Sequence, residues 1–152
     1  MDPQCTRGKG FTLIEVLMTV AIAAILASVA GPPFVRLLAD QRAKAAATDL
    51  FTALSVTRSE AIKQNQNVSL LPKSSDWANG WVIADPGGGA NLLDMNATGV
   101  PVTGGPASVI YNGGGRLAGA TAPSFTIGES GMPQRCLSVD LSGRPHIKAS
   151  AC

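Results

Sequence analysis

Residues 8–20, "GKGFTLIEVLMTV", carry one acid, Glu15, inside an otherwise uncharged apolar run that follows a short leader holding Arg7 and Lys9. From position 11 to position 30 there are 20 residues, 16 of them apolar, with Glu15 as the one charge. At about 1.5 Å of rise per residue, a helix of that length spans a hydrocarbon core of roughly 30 Å. The run is therefore a membrane-spanning candidate. The competing reading is the hydrophobic region of a secretory signal peptide, which is usually shorter and ends in a small-residue cleavage site. Ala27, Ser28, Val29, Ala30 and Gly31 imitate such a site. An acid five residues into the run argues against it.

A carboxylate at the centre of a bilayer costs on the order of 2.5 to 3.5 kcal/mol on insertion scales, and intramembrane acids generally face a protein partner. No cation lies within the run; the nearest are Lys9 before it and Arg36 after it. A cut between Gly10 and Phe11 would create an amino group about one helical turn from Glu15, in the same chain or in a parallel neighbour. The bland alternative is a glutamate that snorkels to the near interface.

These residues resemble the class III signal of type IV prepilins and type II secretion pseudopilins: a short basic leader ending in glycine, then phenylalanine, then glutamate five residues into the mature segment. The resemblance implies that a membrane prepilin peptidase cleaves after Gly10 and methylates the amine of Phe11. It also implies that Glu15 pairs with the amine of a neighbouring subunit during filament assembly.

Beyond the span, Pro32 and Pro33 remove backbone donors and are expected to kink a helix that resumes at once in strong helix formers. Ala43, Ala47, Leu50, Leu54, Thr57 and Ala61 repeat with a 3.6-residue period, while Arg42, Lys44, Asp49 and Arg58 fall on other faces. A kinked helix from about 12 to 64 follows, its second half presenting one face to a small domain. After Asn67 the composition changes, and 13 of the 17 glycines lie between Gly80 and Gly131. That favours short strands joined by turns. Expected strands are 68–71, 81–84, 108–111, 124–127, 137–141 and 145–149, with "PGGGANLLDMN" and "NGGGRLAG" as loops.

The formal charge of +2, from 12 basic and 10 acidic residues, gives no polyelectrolyte character. One histidine and three cysteines leave little from which to build a metal site or a catalytic triad. The glycine runs lack the phosphate-loop pattern. No enzyme and no cofactor are expected.

In "RCLSVDLSGRPHIKASAC" a three-residue loop of Leu141, Ser142 and Gly143, with the glycine left-handed, sets Leu137 opposite Ile147 and Val139 opposite Pro145 on the core side. Asp140 then faces Arg144 and Ser138 faces His146 outside. Arg144, His146 and Lys148 form a row, either an ordinary solvated face or a small phosphate-binding patch with Arg135 or Arg116 nearby. With "GW" at Gly80 and Trp81 and a terminal "GR" hairpin flanked by cysteines, the chain resembles the FimT/FimU and pseudopilin H group of minor pilins. In FimT-type members a Gly-Arg-x-Arg hairpin is associated with DNA uptake. Here Gly143 and Arg144 match, but His146 replaces the second arginine. If Cys5 leaves with the leader, Cys136 and Cys152 remain as an even pair, and a bond between them implies an oxidising compartment.

The expected fold is α+β: a leader (1–10), a transmembrane or filament-core helix (11–33), its amphipathic continuation (34–66) and a β-rich periplasmic domain (67–152). The expected function is that of a minor pilin in type IV pilus assembly, in a priming or tip complex. A DNA-binding minor pilin and pseudopilin H of type II secretion are the alternatives. Partners would be other major and minor pilins, the prepilin peptidase, the inner-membrane assembly platform, the inner membrane itself and, on the second reading, double-stranded DNA.

Overall fold

The computed structural model describes residues 11–152. It contains one long helix, α1 (Leu13–Gln64), followed by eight strands: β1 (Val68–Pro72), β2 (Trp81–Ala84), β3 (Leu93–Met95), β4 (Val102–Gly104), β5 (Val109–Tyr111), β6 (Ser124–Ile127), β7 (Arg135–Val139) and β8 (Pro145–Lys148). The chain divides into two compact units, Met1–Val35 and Arg36–Cys152, so the boundary falls inside α1. α1 is assigned as one helix through both prolines. The side chain of Pro32 lies outside the described residues, and the expected kink concerns how the two units are set, so it stays an expectation.

In the first unit the apolar side chains face outward: Phe11, Leu13, Ile14, Leu17, Met18 and Ile25 are all exposed. No single helix among the described residues is long and apolar enough to cross a membrane; Leu13–Ser28 and Pro33–Gln64 meet the requirement of length and composition only together.

In the second unit the helical period does what it predicts. Ala43, Ala47, Leu50, Leu54, Thr57 and Ala61 are all fully buried, and Ala46 and Ala53 join the same stripe. Thr57 is tolerated there because its hydroxyl donates to the carbonyl of Ala53 at 2.7 Å. The stripe packs on two antiparallel sheets, ordered β3-β2-β1-β5 and β4-β6-β7-β8. The first sheet contributes Val68, Leu70, Trp81, Ile83, Val109 and Tyr111 to the core, and the second contributes Val102, Phe125, Ile127, Leu137 and Val139. Alternate residues of β1, β2, β5 and β6 point inward, as the pleat requires. Trp77 ties the two sheets together: its ring meets that of Phe125 edge-on at 4.9 Å, and its indole N–H donates to the carbonyl of Pro106 at 2.9 Å.

The expected strands 81–84 and 124–127 are found with those bounds, and 68–71, 108–111 and 145–149 differ by one residue at an end. Three corrections follow. β3 lies inside the stretch read as a loop, where it pairs with β2. β4, not expected at all, pairs with β6. β7 runs Arg135–Val139 rather than 137–141, because Asp140 already belongs to the turn.

Candidate functional site

At the start of α1, Thr12 and Glu15 form a capping box. The N–H and the hydroxyl of Thr12 both donate to Oε2 of Glu15 at 2.8 Å, and the N–H of Glu15 donates back to Oγ1 of Thr12 at 3.3 Å. The carboxylate therefore satisfies a backbone donor that has no partner within the helix, and its charge sits at the positive end of the helix dipole. Its other oxygen, Oε1, accepts no hydrogen bond among the described residues. Glu15 thus serves its own helix start. The Thr-x-x-Glu spacing is the sequence signal for this helix start. Gly10 lies outside the described residues.

At the other end of the chain, β7 and β8 pair in the expected register: Leu137 opposite Ile147, Ser138 opposite His146 and Val139 opposite Pro145. The N–H of Asp140 donates to the carbonyl of Arg144 at 3.1 Å, closing the three-residue loop. Gly143 occupies the left-handed region at φ +84°, and a side chain there would strike the carbonyl of Gly115 and crowd the Tyr111 ring. Ile147 departs from expectation. It is 40% exposed, because β8 is an edge strand and nothing lies beyond it to cover the side chain.

The basic row is present, but with an acid woven into it. The Asp140 carboxylate accepts the Ser142 hydroxyl at 2.5 Å and the Arg144 N–H at 3.0 Å, and its other oxygen lies 3.3 Å from Nε2 of His146. These bonds, the Ser142 hydroxyl foremost, hold the carboxyl below the usual carboxylate range. Arg144 and Lys148 are exposed and have no carboxylate at ion-pair distance among the described residues. Arg135 does not belong to this patch: its guanidinium pairs with Asp40 on α1 at 2.6 Å. Arg116 is exposed on the loop against which the Gly143 turn rests.

Cys136 and Cys152 are joined, with Cα atoms 4.8 Å apart. The Cys152 N–H also donates to the Thr126 hydroxyl at 3.2 Å, so the last residues fold back from the edge strand toward β6. Among the described residues no cluster of His, Cys, Asp or Glu is placed to hold a metal ion.

Residues 46–143 match the family described as type II transport protein GspH, a stretch that runs from Ala46 on the buried face of α1 through β7. The chain belongs to the GspH family. Residues 5–31 match the prokaryotic N-terminal methylation motif, so that motif precedes the GspH-type domain in the chain. The fold is that of the Pseudomonas aeruginosa type IV minor pilin FimU, matched in two crystal forms. One is 26% identical, with a TM-score of 0.60 over 69% of this chain and 91% of that one. The other is 24% identical, with a TM-score of 0.62 over 71% and 89%. No curated protein is matched. Family and fold are thus those of pilin-like structural subunits, minor pilins and pseudopilins, which act through other pilins and the assembly machinery.

Proposed function

We propose that this chain is a minor pilin of a type IV pilus, made as a prepilin, cleaved between Gly10 and Phe11 and methylated on the amine of Phe11. Before assembly the helix beginning at Leu13 sits in the inner membrane, with the β unit in the periplasm. It then passes into the filament core, and the chain joins a priming or tip complex with other minor pilins, becoming extracellular with the fibre. The observation that carries this reading is the N-terminal methylation motif over residues 5–31, joined to a domain of the GspH family with the fold of FimU. A carboxylate that caps its own helix with one oxygen can accept a subunit amine with the other, so charge pairing need not undo the helix start. The joined cysteines support an oxidising compartment.

The test is fibre assembly in cells expressing Glu15→Gln and Thr12→Ala. Glu15→Gln keeps the size of the side chain but removes the charge, and should reduce incorporation at least roughly tenfold. Thr12→Ala loosens the cap and should cost less. Wild-type assembly of Glu15→Gln would refute charge pairing. Complementation in cells lacking either the pilus or the secretion pseudopilin separates a pilus subunit from pseudopilin H.

A second reading, DNA binding for uptake, draws on the exposed and unpaired Arg144 and Lys148. Asp140 and His146 weaken it, since the acid lies within the row and a second arginine is missing. Two or three phosphate contacts would give weak binding with a shallow salt slope. Titration of double-stranded DNA at low and moderate salt, wild type against Arg144→Ala, decides: loss of binding in the variant supports uptake, and no binding at low salt removes it.

A further inference from the structure

The free edge of the first sheet opens into a slot for which the assembly reading has no use. β5 turns back on itself through a tight hairpin: the Asn112 N–H donates to the Arg116 carbonyl and the Ala118 N–H to the Ile110 carbonyl, each at 2.9 Å, with Tyr111 opposite Leu117. Bonded positions recur at every second residue of an antiparallel ladder, so the next pair would be Ser108 with Ala120. That pair is not made. The two strands part instead around a cavity of about 350 Å³ bordered by Ser108, Ile110, Leu117, Ala118, Gly119 and Ala120, and no charged residue lines it.

We propose that this slot receives an extended, uncharged segment of a partner protein, inserted as a short strand between Ser108 on one bank and residues 119–121 on the other. Three observations select that occupant. The main chain on both banks is left without ladder partners, which rewards another backbone more than a compact apolar molecule. The lining carries no charge, so it offers a charged occupant no ion-pair partner. The small side chains of Ala118, Gly119 and Ala120 leave the width to the side chains of the incoming strand. The proposal does not depend on the chain's place in a pilus.

The experiment uses the full chain in detergent micelles, isotope-labelled for amide NMR. The probe is an acetylated, amidated peptide of about six residues, the length of an ordinary strand, alternating valine and threonine. The control has glutamate in place of threonine. The valine–threonine peptide should shift the amides of Ser108, Ile110 and 118–121 and slow exchange of the Ser108 N–H at least roughly tenfold. The glutamate peptide should bind at least roughly tenfold more weakly. Gly119→Trp should abolish binding; nothing lies within 4 Å of the first atom of a side chain at that position, so the fold has room for it. Ala120→Trp, at an exposed position, repeats the test at the facing residue. Equal binding of both peptides, shifts without protection of Ser108, or binding that survives both tryptophans would each overturn the proposal. So would indole occupying the slot while the peptide fails to bind, which would make it a small-molecule pocket.

Discussion

Tyr111 is the single tyrosine of the chain, fully buried, and its hydroxyl has no hydrogen-bond partner among the described residues. Burial is the main reason its ionisation is pushed up to about 12, against the opposing pull of Arg58. A pKa raised in the folded state means that the fold favours the neutral phenol. That contribution is complete below the unfolded value of about 10 and is lost as pH climbs through the folded one. Wild-type melting temperature should therefore drop above about pH 10, and Tyr111→Phe should remove this part of the decline. At neutral pH the variant should be as stable as wild type or up to about 1 kcal/mol more so, since it gives up no hydrogen bond. Thermal melts from neutral to strongly alkaline pH, with the phenolate absorbance as a one-residue readout, check both statements; a variant much less stable at neutral pH would mean that the hydroxyl is paired after all. Asp140 has the opposite sign. Its carboxyl is held below its usual range by the turn donors, so the stabilisation is present above the unfolded value of about 4 and fades as pH falls below it. Asp140→Asn should flatten that acid limb and leave melting at neutral pH slightly lower.

The C-terminal hairpin is an element held at three points: its turn by Gly143 and Asp140, its root by the Arg135–Asp40 pair, and its tail by the disulfide. The bridge closes a separation of 16 residues, for which the loop-entropy estimate is about 3 kcal/mol. Cys152→Ser should lower stability by about that much and speed amide exchange in β8 before β1, because β8 has a neighbour on one side only. Asp40→Ala should cost about 1 to 3 kcal/mol by leaving the largely buried Arg135 without its carboxylate, as read by chemical unfolding. The hairpin register was legible because one loop length satisfies both the glycine and the alternation of apolar residues. The buried stripe of α1 was legible for the same kind of reason, a period sustained over several turns. β3 and β4 were not, since neither carries the run of β-branched and aromatic residues that marks β5, and both exist through pairing with β2 and β6. The partner of Arg135 is 95 residues away, and no local pattern announces such a contact.

At the scale of the molecule the two units are held by different physics, and the division at Val35 and Arg36 makes that testable. Among the described residues, every buried hydrophobic side chain of the core comes from Ala43 or later. The ion pair at Asp40 and the disulfide also lie within the second unit. Removal of residues 1–35 therefore takes away no core side chain. It creates a new helix start at Arg36, whose first N–H groups lack partners, and the first turn should fray at a cost of about 1 kcal/mol. Leu37 and Leu38, which are 56% and 42% exposed, lie in that turn and have little burial to lose. The truncated chain should keep its amide spectrum from Ala43 onward and melt within a few degrees of the full chain in micelles, since about 1 kcal/mol shifts melting of a domain this size by roughly 4 to 8 °C at most. The deleted segment exposes Phe11, Leu13, Ile14, Leu17 and Met18, so its removal should leave a chain that stays monomeric without detergent, whereas the full chain should associate. Size-exclusion chromatography without detergent reads that directly. A truncated chain that unfolds would show that the first unit supports the second.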